Sequence, residues 1–320
     1  MNIKVEKQHF VPQFILKNFS ISNHKQLWVF DKLKETSFLN SIRNTASSKN
    51  FYELEKENVV LNTEEILSVV ESDSAPILKK IINESSVKNI TDEEHNIICL
   101  FTALQYLRTN KTRDQLQQIN QIISDKLKKE NYCFDNSLIE RTKSEIKDSS
   151  IYNLYSLSLN VMIDFKTKKF GLMIAPKNSV FLTSDNPITM YNHKPIPGRG
   201  NLGSRVKNID IYFPISPSHS LVFTCPDLID ELEEQLTKAK LFNQIGRKHN
   251  FNIEENNYII DCYNYKIPFQ LNIKNMEFQN SLQVVQSTRF IYSNENNFSL
   301  CKDMIEKDPS LKKAPKVQSN

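Results

Sequence analysis

Residues 91–129, TDEEHNIICLFTALQYLRTNKTRDQLQQINQIISDKLKK, decide the architecture of this 320-residue chain. Thr91 followed by Glu94 has the spacing of a capping box, in which hydroxyl and carboxylate each satisfy an amide left open at a helix start. Behind it Ile97, Ile98, Phe101, Leu104, Leu107, Leu116, Ile119, Ile122, Ile123 and Leu127 recur at helical spacing, so one apolar stripe faces a core. The spacing predicts a helix from Asp92 to about Lys129, bending near Thr109-Asn110. Upstream, N-T-E-E at Asn62 caps a second apolar stripe of Ile66, Leu67, Val69 and Val70. Pro76 interrupts it, so residues 63–83 are two helices or one kinked helix. Downstream, residues 136–147 and 151–165 read as helical, with Leu154, Leu157, Val161 and Ile163 as core.

Strands flank this helical centre. Pro12 to Ser20 is a short helix by the spacing of Phe14, Ile15 and Phe19, whereas QLWVFD (Gln26–Asp31) and FYEL (Phe51–Leu54) read as strands of a small N-terminal sheet. From Phe170 the period shortens: FGLMIA, SVFLTS, NIDIYF and SLVFTC are apolar runs parted by Pro, Gly, Asn and Ser, the pattern of an antiparallel sheet. Helices return at residues 229–247 and 276–292, the latter carrying Phe278, Leu282, Val285 and Phe290. The fold class is therefore α+β: a central helical region with a long helix, packed with a small N-terminal sheet and a later antiparallel sheet. Residues 1–300 are expected to form a single domain, and 301–320 a Lys-rich, loosely ordered tail.

Composition narrows the function. Hydrophobic residues at 39% and charged residues at 24% are globular proportions and exclude wholesale disorder. A net charge of +4 is too small for the field of a dedicated duplex-DNA binder. The five cysteines, Cys99, Cys133, Cys225, Cys262 and Cys301, form no C-x-x-C pair and no disulfide framework, which fits reduced thiols in a cytoplasm. The opening MNIKVEKQHFVPQF lacks the apolar core of a secretion signal, and no apolar run is long enough to span a membrane.

Four segments, KQHFVPQFILKNF, ALQYLRTNKTRDQ, VFLTSDNPI and FPISPSHSLVF, keep an order and spacing shared with one family, and NSLQVVQSTRFIYS matches its closing element. From residue 7 to about 293 the chain thus resembles the bacterial family named domain of unknown function 4238. The resemblance carries no activity, and a shared fold does not fix one. It implies that His9, Pro12, Arg108, Thr109, Arg113, Ser184, Asp185, Pro187 and Ser216 are the positions of interest. Where such families commonly read R-T-P, this chain has Arg108-Thr109-Asn110, which softens the bend there.

Each candidate has a structural reading beside a chemical one. His9, just before a helix start, is placed for proton transfer near neutral pH or for bracing that helix. Arg108 and Arg113 suit phosphate or carboxylate oxygens, or an internal ion pair with Glu71 or Asp185. Ser184, Asp185 and Asn186 end a strand, either as turn residues bonding their own backbone or as groups delivered into a pocket. Gly198 to Gly203 satisfies G-x-G-x-x-G but lacks the strand–turn–helix context of a dinucleotide site, so it reads as a loop between strands whose Arg199, Arg205 and Lys207 attract anions. Asp164-Phe165-Lys166 is a chance D-x-K triplet, and the remaining histidines (His24, His95, His193, His219 and His249) have no metal-ligand spacing.

Two functions follow. In the first, the chain is an enzyme on a phosphate-containing substrate, such as an RNA nuclease: His9 moves the proton, Arg108 steadies charge and Asp185 orients, with Gln8, Arg113, Ser184 and Asn186 binding substrate. No cofactor and no metal is expected. Its partner is then nucleic acid or another phosphate-bearing ligand, and a defence or toxin-like setting, phage defence included, is conjecture that no residue carries. In the second, the chain is a non-catalytic binding or sensing module, and the same residues form a buried hydrogen-bond network.

Overall fold

The computed structural model describes residues 7–21, 25–54, 63–129, 142–197 and 200–317. The long helix forms as two. α1 (Gln13–Asn18) and α2 (Thr63–Glu84, one helix through Pro76) precede α3 (Asp92–Leu107) and α4 (Asn110–Lys129). The capping box is present: Glu94 N donates to Thr91 Oγ1 at 3.2 Å and Thr91 N to Glu94 Oε2 at 2.9 Å. The stripe then breaks at Arg108-Thr109, where the Tyr106 carbonyl takes the Thr112 hydroxyl at 3.1 Å and the Thr109 hydroxyl bonds the buried Asn186 side chain. α3 is largely buried from Ile98 to Leu107, whereas α4 buries only Ser124 and leaves Ile119 and Ile123 exposed. α5 (Lys143–Lys166) is one continuous helix where two stretches were expected. Residues 136–141 of the first lie outside the described residues. Leu154 and Val161 of α5 are core, but Leu157 and Ile163 are exposed.

Three sheets organise the rest. A ribbon pairs β1 (Lys7–His9) with β4 (Ser47–Lys49). The strand expected at Phe51–Leu54 does not form: Phe51 and Tyr52 are buried by packing, Phe51 against Phe10 at 5.3 Å. The N-terminal sheet runs β3–β2–β11–β6, from β2 (Gln26–Asp31), β3 (Thr36–Ser41), β6 (Thr183–Ser184) and β11 (Phe290–Ser293). Its third strand comes from the far end of the chain. Phe290 was expected in a helix reaching residue 292, but α8 (Ile273–Gln286) stops short and FIYS pairs with β2, an outcome set by a partner some 260 residues away in sequence.

The third sheet runs β10–β5–β9–β8–β7, antiparallel except where β10 (Phe269–Gln270) pairs with β5 (Lys169–Ile174). β8 (Ile209–Ser216) and β9 (His219–Thr224) are buried on both faces, and β7 (Thr189–Asn192) forms the edge. With period two, Ile209, Ile211, Phe213 and Ile215 enter the main core, while Tyr212 turns to a smaller cluster with Val222, Cys262 and Phe269. Gly171 on β5 admits that second layer: a Cβ there would sit 3.0 Å from the Phe269 ring and 3.2 Å from Tyr263. α6 (Pro226–Gln244) and α7 (Ile253–Asn264) follow the sheet. SVFLTS contributes only its last two residues as strand, and to the N-terminal sheet, since the Asn280 side chain takes the Leu182 amide at 2.8 Å.

The segment read as a loose tail begins as a helix, α9 (Ser299–Lys307), followed by a 3₁₀ turn at Pro309–Lys312. Its Lys and Glu residues face solvent while Cys301 and Ile305 are buried beside Phe30, Val284 and Phe298. Among the described residues no helix is long and apolar enough to cross a membrane. Cys99, Cys225, Cys262 and Cys301 are buried free thiols.

Candidate functional site

The Ser184-Asp185-Asn186 turn extends β6, and the Asp185 amide continues the ladder to the Phe290 carbonyl at 3.0 Å. The Asp185 carboxylate is 2% exposed and accepts three backbone N–H groups, from Thr288 at 2.7 Å, Arg289 at 2.7 Å and Phe290 at 2.9 Å. Burial pushes this carboxyl up, and those three amides with Lys32 pull it back down. Ser184 Oγ lies 2.7 Å from Gln283 Oε1 and 2.9 Å from the Asn186 carbonyl, one of which takes its proton. The Gln283 amide donates to the Pro187 carbonyl at 2.8 Å. Asn186 donates to the Ile188 carbonyl at 3.0 Å and accepts the Thr109 hydroxyl at 3.1 Å, which ties the turn to the junction of α3 and α4.

The arginines are engaged in the same way. Arg108, whose side chain is 1% exposed, donates to Glu71 at 2.7 Å and to Gln105 at 2.9 Å. Gln105 in turn donates to the Phe10 carbonyl at 3.0 Å. The internal ion pair with Glu71 is therefore formed and the one with Asp185 is not. Burial works against the Arg108 charge, but Glu71 and Tyr52 outweigh it and hold the group above its ordinary value. Arg113 donates to Ser150 Oγ at 2.9 Å and to the Phe51 carbonyl at 2.5 Å, with its guanidinium 3.5 Å from the Phe51 ring centroid. Burial pulls Arg113 down to about 10. Gln8 accepts the Tyr52 amide at 2.5 Å, and the Tyr52 hydroxyl donates to the His9 carbonyl at 3.1 Å.

Two clefts open on this network. One, of about 360 Å³, is lined by His9 and Lys7 together with Glu64, Leu67, Ser68 and Glu71 on one face of α2. There burial lowers the His9 imidazole and raises the Glu64 carboxyl, with Glu71 adding to the latter shift. The other, of about 480 Å³, is lined by Asp185, Asn110, Asp114, Arg289 and Phe290, by Phe10, and by Phe38, Asn40, Asn44, Ser47 and Ser48 around the N-terminal strands. Asp114 is pushed up by burial against the pull of Arg113. Arg289 grips Asp31 with two bonds, at 2.9 and 2.6 Å.

His9 and Arg108 thus meet at Glu71, while Asp185 lies on the other cleft. Arg108, Arg113, Gln8, Ser184 and Asn186 line neither. Sequence reasoning missed Glu64, Asp114 and Arg289. A signal existed for the first, since carboxylates at 64 and 71 are two turns apart on one helix face. Of the remaining motifs, Gly198 and Arg199 lie outside the described residues. Arg205 and Ser204 both bond Asp164, at 2.9 and 2.7 Å, and Lys207 pairs with Asp227 at 3.3 Å, which engages the basic loop and the D-x-K triplet internally. No group of three or more His, Cys, Asp or Glu among the described residues is disposed to hold a metal.

The sequence model of a family described as "Protein of unknown function (DUF4238)" matches residues 7–297. No curated protein and no solved structure matches the chain.

Proposed function

The chain belongs to the DUF4238 family, and we propose that it is a non-catalytic binding module whose family segments hold the fold and together wall one ligand cleft. A single observation carries this reading. Four of the five family-like segments reach the same 480 Å³ cleft: Phe10 from the first, Asn110 and Asp114 from the second, Asp185 from the third and Thr288, Arg289 and Phe290 from the closing one. The buried polar atoms of Ser184, Asp185, Asn186 and Arg113 meanwhile bond backbone or the side chains of Gln283, Thr109 and Ser150, which leaves them little to offer a substrate. The cleft presents amides and hydroxyls beside Phe38 and Phe290, and its two carboxylates outnumber its one guanidinium, itself held by Asp31. That lining suits a small, uncharged polar ligand over a phosphate-rich one. Buried free thiols support a reducing compartment, such as a cytoplasm, as its place.

A second reading, proton-transfer catalysis such as RNA cleavage, rests on His9. It is the one member of the expected catalytic trio that lines the second cleft, and burial shifts it and Glu64 in opposite directions. The test is a melting screen of the full chain against sugars, nucleosides, amino acids and RNA, with Asn40→Ala and His9→Ala alongside. Saturating ligand should raise stability by about 2.7 kcal/mol at a hundredfold excess over Kd, and Asn40→Ala should lose that gain. RNA degradation that disappears in a normally stable His9→Ala variant overturns the binding reading in favour of the enzyme.

A further inference from the structure

A third cavity, of about 360 Å³, lies among β8, β9, α6 and α7 and shares no lining residue with either cleft. Its body is apolar, formed by Leu228, Ile229 and Leu232 of α6 and Ile259 of α7. Its polar end is built around Asp210, which is 9% exposed. One oxygen of that carboxylate accepts from His193 Nε2 at 2.8 Å and from the Tyr212 hydroxyl at 2.9 Å, and the other accepts the Thr224 hydroxyl at 2.5 Å. Thr224 has one proton and Asp210 takes it. The Tyr263 hydroxyl, 2.5 Å from Thr224 Oγ1, must therefore be the donor in that contact. Burial and the Asp210 charge hold the Tyr263 phenol well above its ordinary value, so it keeps the proton that it donates.

The protons of His193 Nε2, Tyr212 and Thr224 are thus directed to Asp210, and that of Tyr263 to Thr224. What remains for an occupant is Nδ1 of the His193 ring, whose Nε2 is spent on Asp210, and the lone pairs of the Tyr263 oxygen. Gln235, also on the lining, gives one N–H to Glu231 at 3.1 Å and keeps its other N–H and its carbonyl, and Glu231 is itself an acceptor, paired with Lys194. The Asp210 and Glu231 carboxylates at this end disfavour a carboxylate ligand, and a plain hydrocarbon leaves His193 without a partner. We infer that this cavity binds a small apolar molecule carrying one hydroxyl, a phenol or an alcohol, whose hydroxyl hydrogen-bonds Nδ1 of His193. The site stands independently of the Asp185 cleft and of what that cleft binds.

Matched probes test it by calorimetric titration of the full chain: thymol, p-cymene (the same skeleton without the hydroxyl) and cuminate (a related skeleton carrying a carboxylate). Thymol should bind saturably, and p-cymene about tenfold more weakly, the value of one hydrogen bond. Cuminate should be weaker still. His193→Ala should bring thymol down to the affinity of p-cymene, and Leu232→Trp, which fills the cavity from a half-buried position, should abolish both. Each variant's melting curve confirms that it is folded; should Leu232→Trp not fold, Ile259→Phe takes its place. The inference is overturned if thymol fails to bind, if p-cymene or cuminate binds as tightly as thymol, or if neither substitution changes thymol affinity.

Discussion

Replacing Asp185 with Asn changes one atom type and should cost about 3 to 5 kcal/mol. In the native turn Oδ2 accepts the Arg289 and Phe290 amides and Oδ1 accepts that of Thr288. An asparagine whose oxygen takes the Oδ2 place keeps two of these bonds in weaker, neutral form. Its NH₂ group then confronts the Thr288 amide, donor against donor at 2.7 Å. Losing a charge-assisted bond costs about 1.5 to 3 kcal/mol and leaving a buried donor unpaired about 1 to 3, while relief of carboxylate burial offsets part of that sum. The assay is urea unfolding followed by fluorescence. Trp28, the only tryptophan, sits on β2 opposite Ser293, in the sheet that Asp185 closes. A variant within about 1 kcal/mol of wild type that nonetheless loses ligand or catalytic function would refute the structural assignment and return Asp185 to the site.

Two further outcomes follow from the same network. Glu71→Gln should destabilise by about 3 kcal/mol because it strands a buried guanidinium, and adding Arg108→Met should recover most of that loss. A double-mutant cycle in urea checks this, and additive effects would mean that the pair is not coupled. Burial lowers His9, His95 and His219 in the folded state, so between the folded and unfolded pKa values the unfolded chain binds more protons. Their contribution to stability is complete above about pH 6.5 and is lost as pH falls through the lowered values, at no more than about 1.4 kcal/mol per pH unit for each ring. Urea midpoints at neutral and mildly acid pH measure it, and the acid loss should be smaller in His219→Gln; an equal loss contradicts the assignment to that ring.

Local signals were legible wherever neighbours in sequence decide the structure. The capping box at Thr91 and the alternation through Ile209 to Ile215 specify helix start and strand faces directly. FIYS was not legible, because three apolar residues and a serine after a helix satisfy either period, and only pairing with β2 selects the strand. Phe51 and Tyr52 misled for the opposite reason: their aromatic character is used for packing against Phe10 and Arg113, with no strand partner. At the site, sequence nominated Glu71 for Arg108, but it gave no means of seeing that the donors to Asp185 come from residues 288–290. The His193–Asp210 pair was equally hidden. It depends on the hairpin register that sets Tyr191 opposite Asp210, with His193 following two residues later.

The charged residues at the chain's closing junction give many of the buried family-like positions partners inside the fold. Asp31 grips Arg289, the Lys32 amine donates to the Val284 and Ser287 carbonyls at 2.8 and 2.9 Å, and Asp185 collects the amides of residues 288–290. Asp31 and Asp185 act on residues 288–290, where the chain enters β11, and Lys32 on Val284 and Ser287 just before them. Burial pulls Lys32 down to about 8, so the clasp is not made of inexpensive surface pairs. What it supplies is register: a one-residue slip of β11 would turn Ile291 out of the core and empty the Asp185 carboxylate of its donors. The same residues then form a wall of the 480 Å³ cleft. A ligand entering it meets Arg289, Thr288 and Phe290 already fixed by bonds to Asp31 and Asp185, and so loses little affinity to ordering them.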